Sequence, residues 1–151
     1  MQITSKAFSN GGKIPSLYTC DDKNINPPLE IHQVPKGTVT LVLIMDDPDV
    51  PPNVRKDGLY VHWVVYNMPP DTRLIAENST PPGTQGKGTG GVMRYDGPCP
   101  PDREHRYYFK LYALKTPLNL KAGATKSDVE TAMEGIILEE AQLMGRYVRL
   151  K

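Results

Sequence analysis

Residues 38–46 read TVTLVLIMD, an almost unbroken apolar run rich in β-branched side chains. A run of this length and composition fits a strand buried on both faces. A chain containing such a strand has to cover it from two sides. Two further runs share its character, LYVHWVVYN at 59–67 and HRYYFKLYAL at 105–114, both mixing β-branched and aromatic residues. A shorter one, LEIHQV at 29–34, precedes the turn PKGT. Proline-dense breaks separate them: DPDVPPN after the first run and MPPDTRL after the second. The 15 prolines and 13 glycines of the chain supply the turns that a mainly β fold needs.

Two stretches depart from this pattern. Residues 80–98, TPPGTQGKGTGGVMRYDGP, form a long Gly/Pro loop, and loops of that length are usually functional or disordered. Residues 127–144, SDVETAMEGIILEEAQLM, carry a helix start, with Ser127 as N-cap and Glu130 closing a capping box. Gly135 is expected to divide this region into two short helices, and Gly145 to end it before a final strand in RYVRLK. There is no internal repeat. The 151 residues are read as one domain, 1–151, with a β-rich core and a small helical appendage.

A net charge of +1 gives no bulk attraction to nucleic acid. The N-terminal MQITSKAFSNGGKIPS has no apolar h-region, and no stretch approaches the roughly 18 apolar residues of a membrane span. The expected location is cytoplasmic, with no integral membrane association. No amphipathic helix suits a membrane surface, so binding of a whole lipid is not expected. Cys20 and Cys99 are too few for a disulfide framework and too isolated for a zinc knuckle. HxH and HExxH are both missing, so no metal site and no cofactor is expected.

Three places carry titratable groups at the edge of a core strand. Asp47 and Asp49 stand in DDPDVP, where they either supply turn hydrogen bonds or send one carboxylate into a pocket to orient a histidine or a ligand. His62 lies among Val61, Trp63 and Val64; by period two it shares a face with Tyr60, Val64 and Tyr66. A lone histidine there is more often a core residue with one hydrogen bond. His105 opens its strand on a face continued by Tyr107, Phe109 and Leu111, with Arg106, Tyr108, Lys110 and Tyr112 opposite. His32 reads as structural or surface. Cys99 is the one attractive nucleophile near His105, yet the prolines on either side of it remove amide donors that an oxyanion hole would need.

Taken in order, DPDVP, YVHWVVYNMP, YDGPCPP and HRYYFKLYAL resemble the bacterial branch of the phosphatidylethanolamine-binding protein (Raf kinase inhibitor protein-like) family. YTCDDKNINPPLEI and EEAQLMGRYVR resemble its opening and its end, so the likeness covers nearly the whole chain. It implies a two-sheet antiparallel β-sandwich with Greek-key connections and small C-terminal helices. It also implies a small anion pocket lined by Asp47, His62 and His105. Gly97, Cys99, Pro100 and Pro101 would form the rim, and Tyr107 would close one side. Both cysteines lie in motifs of the bacterial branch, which leaves two alternatives: a Cys20–Cys99 disulfide, or the free thiols that a cytoplasmic address favours. Gly88, Gly90 and the DREH segment depart from the family pattern, and Tyr147 is only a loose counterpart of its C-terminal pocket tyrosine.

The function implied is a non-enzymatic module that binds a small anion or phosphate group, as a possible regulator of a phosphorylated or head-group-bearing partner. Two alternatives stand beside it. One is a hydrolase or metal-assisted enzyme using the same Asp/His set. The other is an inhibitor or scaffold that acts through its surface.

Overall fold

A computed structural model describes residues 1–150. The strands are β1 (Gln2–Thr4), β2 (Leu29–His32), β3 (Thr40–Asp47), β4 (Tyr60–Met68), β5 (Leu74–Ile75), β6 (Thr84–Gln85), β7 (His105–Leu114) and β8 (Ile137–Tyr147), with one helix, α1 (Lys126–Met133), before β8. They form a three-stranded sheet, β1-β2-β5, and a five-stranded sheet, β6-β4-β3-β7-β8. Every pairing between strands is antiparallel. β7 returns to lie beside β3 after the chain has passed through β4 and β6, giving the spatial order β7-β3-β4-β6 of a Greek key.

β3 is buried at every position because both faces of its sheet are covered. Leu41, Leu43, Met45, Trp63, Val65, Phe109 and Leu111 pack against Ile3, Leu29, Ile31 and Ile75 of the small sheet. Val42, Ile44, Val64, Tyr66 and Leu114 pack against Leu118 and against Val129 and Met133 of α1. A layer on each side explains why the run at 38–46 shows no polar alternation. The Asp46 carboxylate lies on the helix-side face, where Lys110 and Lys126 reach it at 3.1 and 2.7 Å.

The C-terminal region corrects the expectation of two helices. Only α1 forms. Its N-cap is Thr125, and Thr125 and Asp128 make the capping box reciprocally, two residues before the expected Ser127 and Glu130. Gly135, at φ +79°, turns the chain, and residues 137–147 then pair along β7 from Leu114↔Ile137 to His105↔Tyr147. Leu, Glu, Ala, Gln and Met favour helix, but the open edge of β7 offers a full ladder, and tertiary pairing overrides so weak a preference. Gly145 is therefore not a helix stop. It faces the core opposite Tyr107, where a Cβ would stand 2.5 Å from Ile14 Cγ1 and 2.8 Å from the Phe8 ring. Of the expected final strand in 146–151, the described residues show only the end of β8, which closes at Tyr147; Lys151 lies outside the described residues.

Candidate functional site

The end of β3, the start of β4 and the start of β7 meet at one end of the large sheet. A β-bulge decides what they present there. Met45 pairs with Trp63 and Asp46 with Val61, which leaves His62 as the extra residue on β4. A bulge of this kind re-aims a side chain. Trp63 and Val65 face the small sheet and Val64 and Tyr66 face α1, yet His62 packs against Tyr107, with ring centroids 5.2 Å apart. Period two put His62 on one face with Tyr60, Val64 and Tyr66. The bulge keeps it beside Tyr60, at 4.6 Å, and separates it from the other two.

These strand ends and the turn 95–104 enclose a cavity of about 270 Å³. Of the residues singled out from sequence, Asp47, His62, Gly97, Cys99, Pro100, Pro101, His105 and Tyr107 all line it. Asp49 does not. Its carboxylate takes the Arg106 guanidinium through Nε at 2.9 Å and NH2 at 2.8 Å, and the Arg106 amide at 2.8 Å. Asp49 thus clamps the 48–59 loop to β7, and the bond from Arg106 holds its carboxyl below the usual range. Tyr60, which period two put on the His62 face, lines the cavity as well, as do Asp96, Val50 and Val54, which carried no sequence signal beyond their closeness to the motifs.

The cavity wall is stitched to the N-terminal segment and to β4. The Tyr95 hydroxyl donates to the Tyr18 carbonyl at 2.8 Å, the Gly97 amide to Asn24 Oδ1 at 2.8 Å, and the Asp96 amide to the His62 carbonyl at 3.1 Å. The Cys20 amide donates to the Pro98 carbonyl at 3.1 Å. Cys20 and Cys99 are joined by a disulfide with their Cα atoms 5.5 Å apart. Prolines 98, 100 and 101 fix the backbone between these ties, so the rigid turn is the wall of the cavity.

His105 is 1% exposed and held between two carboxylates. Its Nδ1 meets Asp47 Oδ2 at 2.7 Å and its Nε2 meets Asp102 Oδ1 at 2.7 Å. An ionised carboxylate only accepts, so a ring nitrogen that carries a proton donates it to the aspartate it faces. Asp47 Oδ1 accepts the Asp49 amide at 2.7 Å, which fixes the carboxylate behind the ring.

His62 is arranged in the opposite sense. Its Nδ1 lies 2.6 Å from the Asp96 carbonyl oxygen, which can only accept, so the proton sits on Nδ1. Burial pushes its pKa below the usual 6.5 and keeps the ring neutral. Nε2 is left as a bare acceptor, buried and without a partner. The Tyr107 hydroxyl is likewise buried and unpartnered; burial and the nearby Asp47 raise its pKa far above normal, so it keeps its proton. The Tyr60 hydroxyl donates to Asp96 Oδ2 at 2.9 Å, and burial and Asp96 push it up to about 12. Asp47 and Asp96 line the cavity, and among the described residues no lysine or arginine does.

The neutral burial of His62 has a measurable consequence. Its folded pKa is depressed, so as pH falls through about 6.5 the unfolded chain gains a proton that the folded protein refuses. Stability therefore falls with acidity, by up to about 1.4 kcal/mol per pH unit, until the folded pKa is reached. In urea melts across this window, His62→Phe is expected to show a slope shallower than wild type by about one proton. Parallel slopes would contradict a neutral, buried His62.

Among the described residues no helix is long and apolar enough to cross a membrane. The profile described as phosphatidylethanolamine-binding protein matches residues 4–148. The chain belongs to the phosphatidylethanolamine-binding protein family. Its relatives within that family include a UPF0098 protein of Chlamydia trachomatis, 49% identical over 97% of this chain and 98% of the relative. A UPF0098 protein of Methanothermobacter thermautotrophicus is 47% identical over 99% of both chains. The crystal structure of a phosphatidylethanolamine-binding protein homologue from Chlamydia trachomatis matches with a TM-score of 0.96 at 48% identity, covering 99% of this chain and 97% of the other. Escherichia coli YbcL, described as a new member of the mammalian family, matches with a TM-score of 0.88 at 25% identity over 99% and 98% of the two chains. The family and the sandwich that the motifs implied are therefore those of this protein.

Proposed function

We propose that this protein is a non-enzymatic binding module that holds a small anion, such as the phosphate of a head group or of a phosphorylated partner, in the cavity between Asp47, His62, His105 and Tyr107. The observation that carries the proposal is the pair of buried, unpartnered polar atoms in its wall, His62 Nε2 and the Tyr107 hydroxyl. Buried polar atoms are nearly always satisfied, and two orphans in one cavity point to a ligand that satisfies them. Binding is favoured over acyl transfer because Cys99 is tied up in the disulfide and no serine or threonine lines the cavity.

The donors for an anion are the Tyr107 hydroxyl and His105 Nε2, and Asp102 already occupies the second. The Asp102 side chain is 39% exposed, and its carboxylate competes with a bound anion for that nitrogen. Calorimetric titration with inorganic phosphate tests the reading. Wild-type protein is expected to bind saturably. Asp102→Ala should bind about tenfold tighter and Tyr107→Phe about tenfold weaker, each roughly one charge-assisted hydrogen bond or repulsion. Affinity unchanged in both variants would remove the cavity as the site.

A further inference from the structure

We infer that the cavity takes its anion with a proton on it, as the monoanion of a phosphate monoester or phosphonate whose P–O–H group donates to His62 Nε2. The inference rests on the anion-binding reading above and adds which ionisation state is bound.

Two observations converge. The first is the sense of the His62 hydrogen bond. The Asp96 carbonyl holds the ring proton on Nδ1 at 2.6 Å, so the other nitrogen of this cavity-lining ring is an acceptor with nothing to accept from. A fully deprotonated phosphate would set its own lone pairs against that nitrogen. An acid hydroxyl completes it. The second is the charge around the ring. His62 faces Asp96 from the turn, Asp47 from β3, Tyr60 from its own strand, and Tyr107 and the His105 ring from β7, with Asp46 on the far face of β3 held by Lys110 and Lys126. Among the described residues no lysine or arginine lines the cavity, and the His105 ring already stands between two carboxylates. A dianion would bring its second charge to a described lining that holds two aspartates and no lysine or arginine to meet it.

The alternative is that His62 itself takes up the proton and binds the dianion. Both complexes hold the same number of protons, so a pH profile alone does not separate them, whereas the ring nitrogen does. The probe is methylphosphonate, titrated into protein labelled with ¹⁵N at histidine and followed by ¹⁵N and ³¹P NMR across pH. Above the second pKa of the ligand, affinity is expected to fall about tenfold per pH unit, as one-proton linkage requires. In the saturated complex His62 Nε2 should keep the shift of an unprotonated nitrogen, while phosphorus keeps that of the monoanion. The ester methyl methylphosphonate, a monoanion with no acid hydrogen, should bind at least about tenfold weaker, the loss of one hydrogen bond to a buried acceptor.

Affinity that holds steady above the second pKa of the ligand would overturn the inference. So would a protonated Nε2 in the complex, or an ester that binds as well as the acid. Each of these leaves anion binding intact. Absence of binding by methylphosphonate and inorganic phosphate at every pH would instead overturn the anion-binding reading, and this inference with it.

Discussion

Asp47→Ala is expected to cost about 3 kcal/mol of stability, because buried hydrogen-bonding groups left without a partner cost about 1–3 kcal/mol each. The asymmetry comes from what is left behind. His105 is 1% exposed and loses its Nδ1 acceptor, and the Asp49 amide loses its own. Asp49→Ala, only two residues away, should cost about 1 kcal/mol or less, because its Arg106 partner is half exposed and free to be solvated. Urea denaturation of both variants, with unchanged m-values, checks the contrast. Equal losses would mean that the Asp47–His105 pair is not the anchor of this end of the sheet.

The second large effect belongs to the wall. Cys20 and Cys99 are 79 residues apart in sequence, and closing a loop of that length stabilises by about 4.5 kcal/mol in the chain-entropy model. The double replacement Cys20→Ser, Cys99→Ser should lower stability by about that amount. Phosphate affinity should fall as well, because Cys99 lines the cavity and the turn around it contains no regular secondary structure to hold its shape. Urea melts and phosphate titration of the double variant measure both. A variant as stable as wild type, with full affinity, would leave the disulfide no part in shaping the cavity.

The sequence showed most where structure is local. The three long runs became β3, β4 and β7 because β-branched and aromatic residues fit a covered, pleated surface whichever strands lie beside them. Alternation along β7 assigned His105 and Tyr107 to the core face and Arg106 and Tyr108 to the other. The same rule failed on β4, where an extra residue at His62 breaks the alternation with Val64 and Tyr66, and a second register shift follows between Val65 and Met68. Nothing in LYVHWVVYN marks which residue is extra, since a bulge is set by two strands together.

Asp47 and Asp49 show the same limit. The turn motif DDPDVP offers both carboxylates to a pocket, but β3 stops at Asp47 and Arg106, far along the chain, captures Asp49. The stretch ending at Met144 reads as helix by composition and folds as strand because β7 has an edge to fill. Tyr60 and Asp96 enter the cavity through contacts that no single segment contains. Gly97, Cys99, Pro100 and Pro101 were placed at its rim by resemblance to a family, not by any physical pattern in the residues themselves.

The central claim is that the cavity between β3, β4 and β7 binds an anion, and the most direct test follows the two histidine rings. In a titration of labelled protein with inorganic phosphate, the ring signals of His62 and His105 and the amides of residues 95–107 should shift together and saturate. Signals on the α1 face, such as Val129 and Met133, should stay in place. Ring signals that do not move at any phosphate concentration, or shifts centred on another surface, would contradict the account.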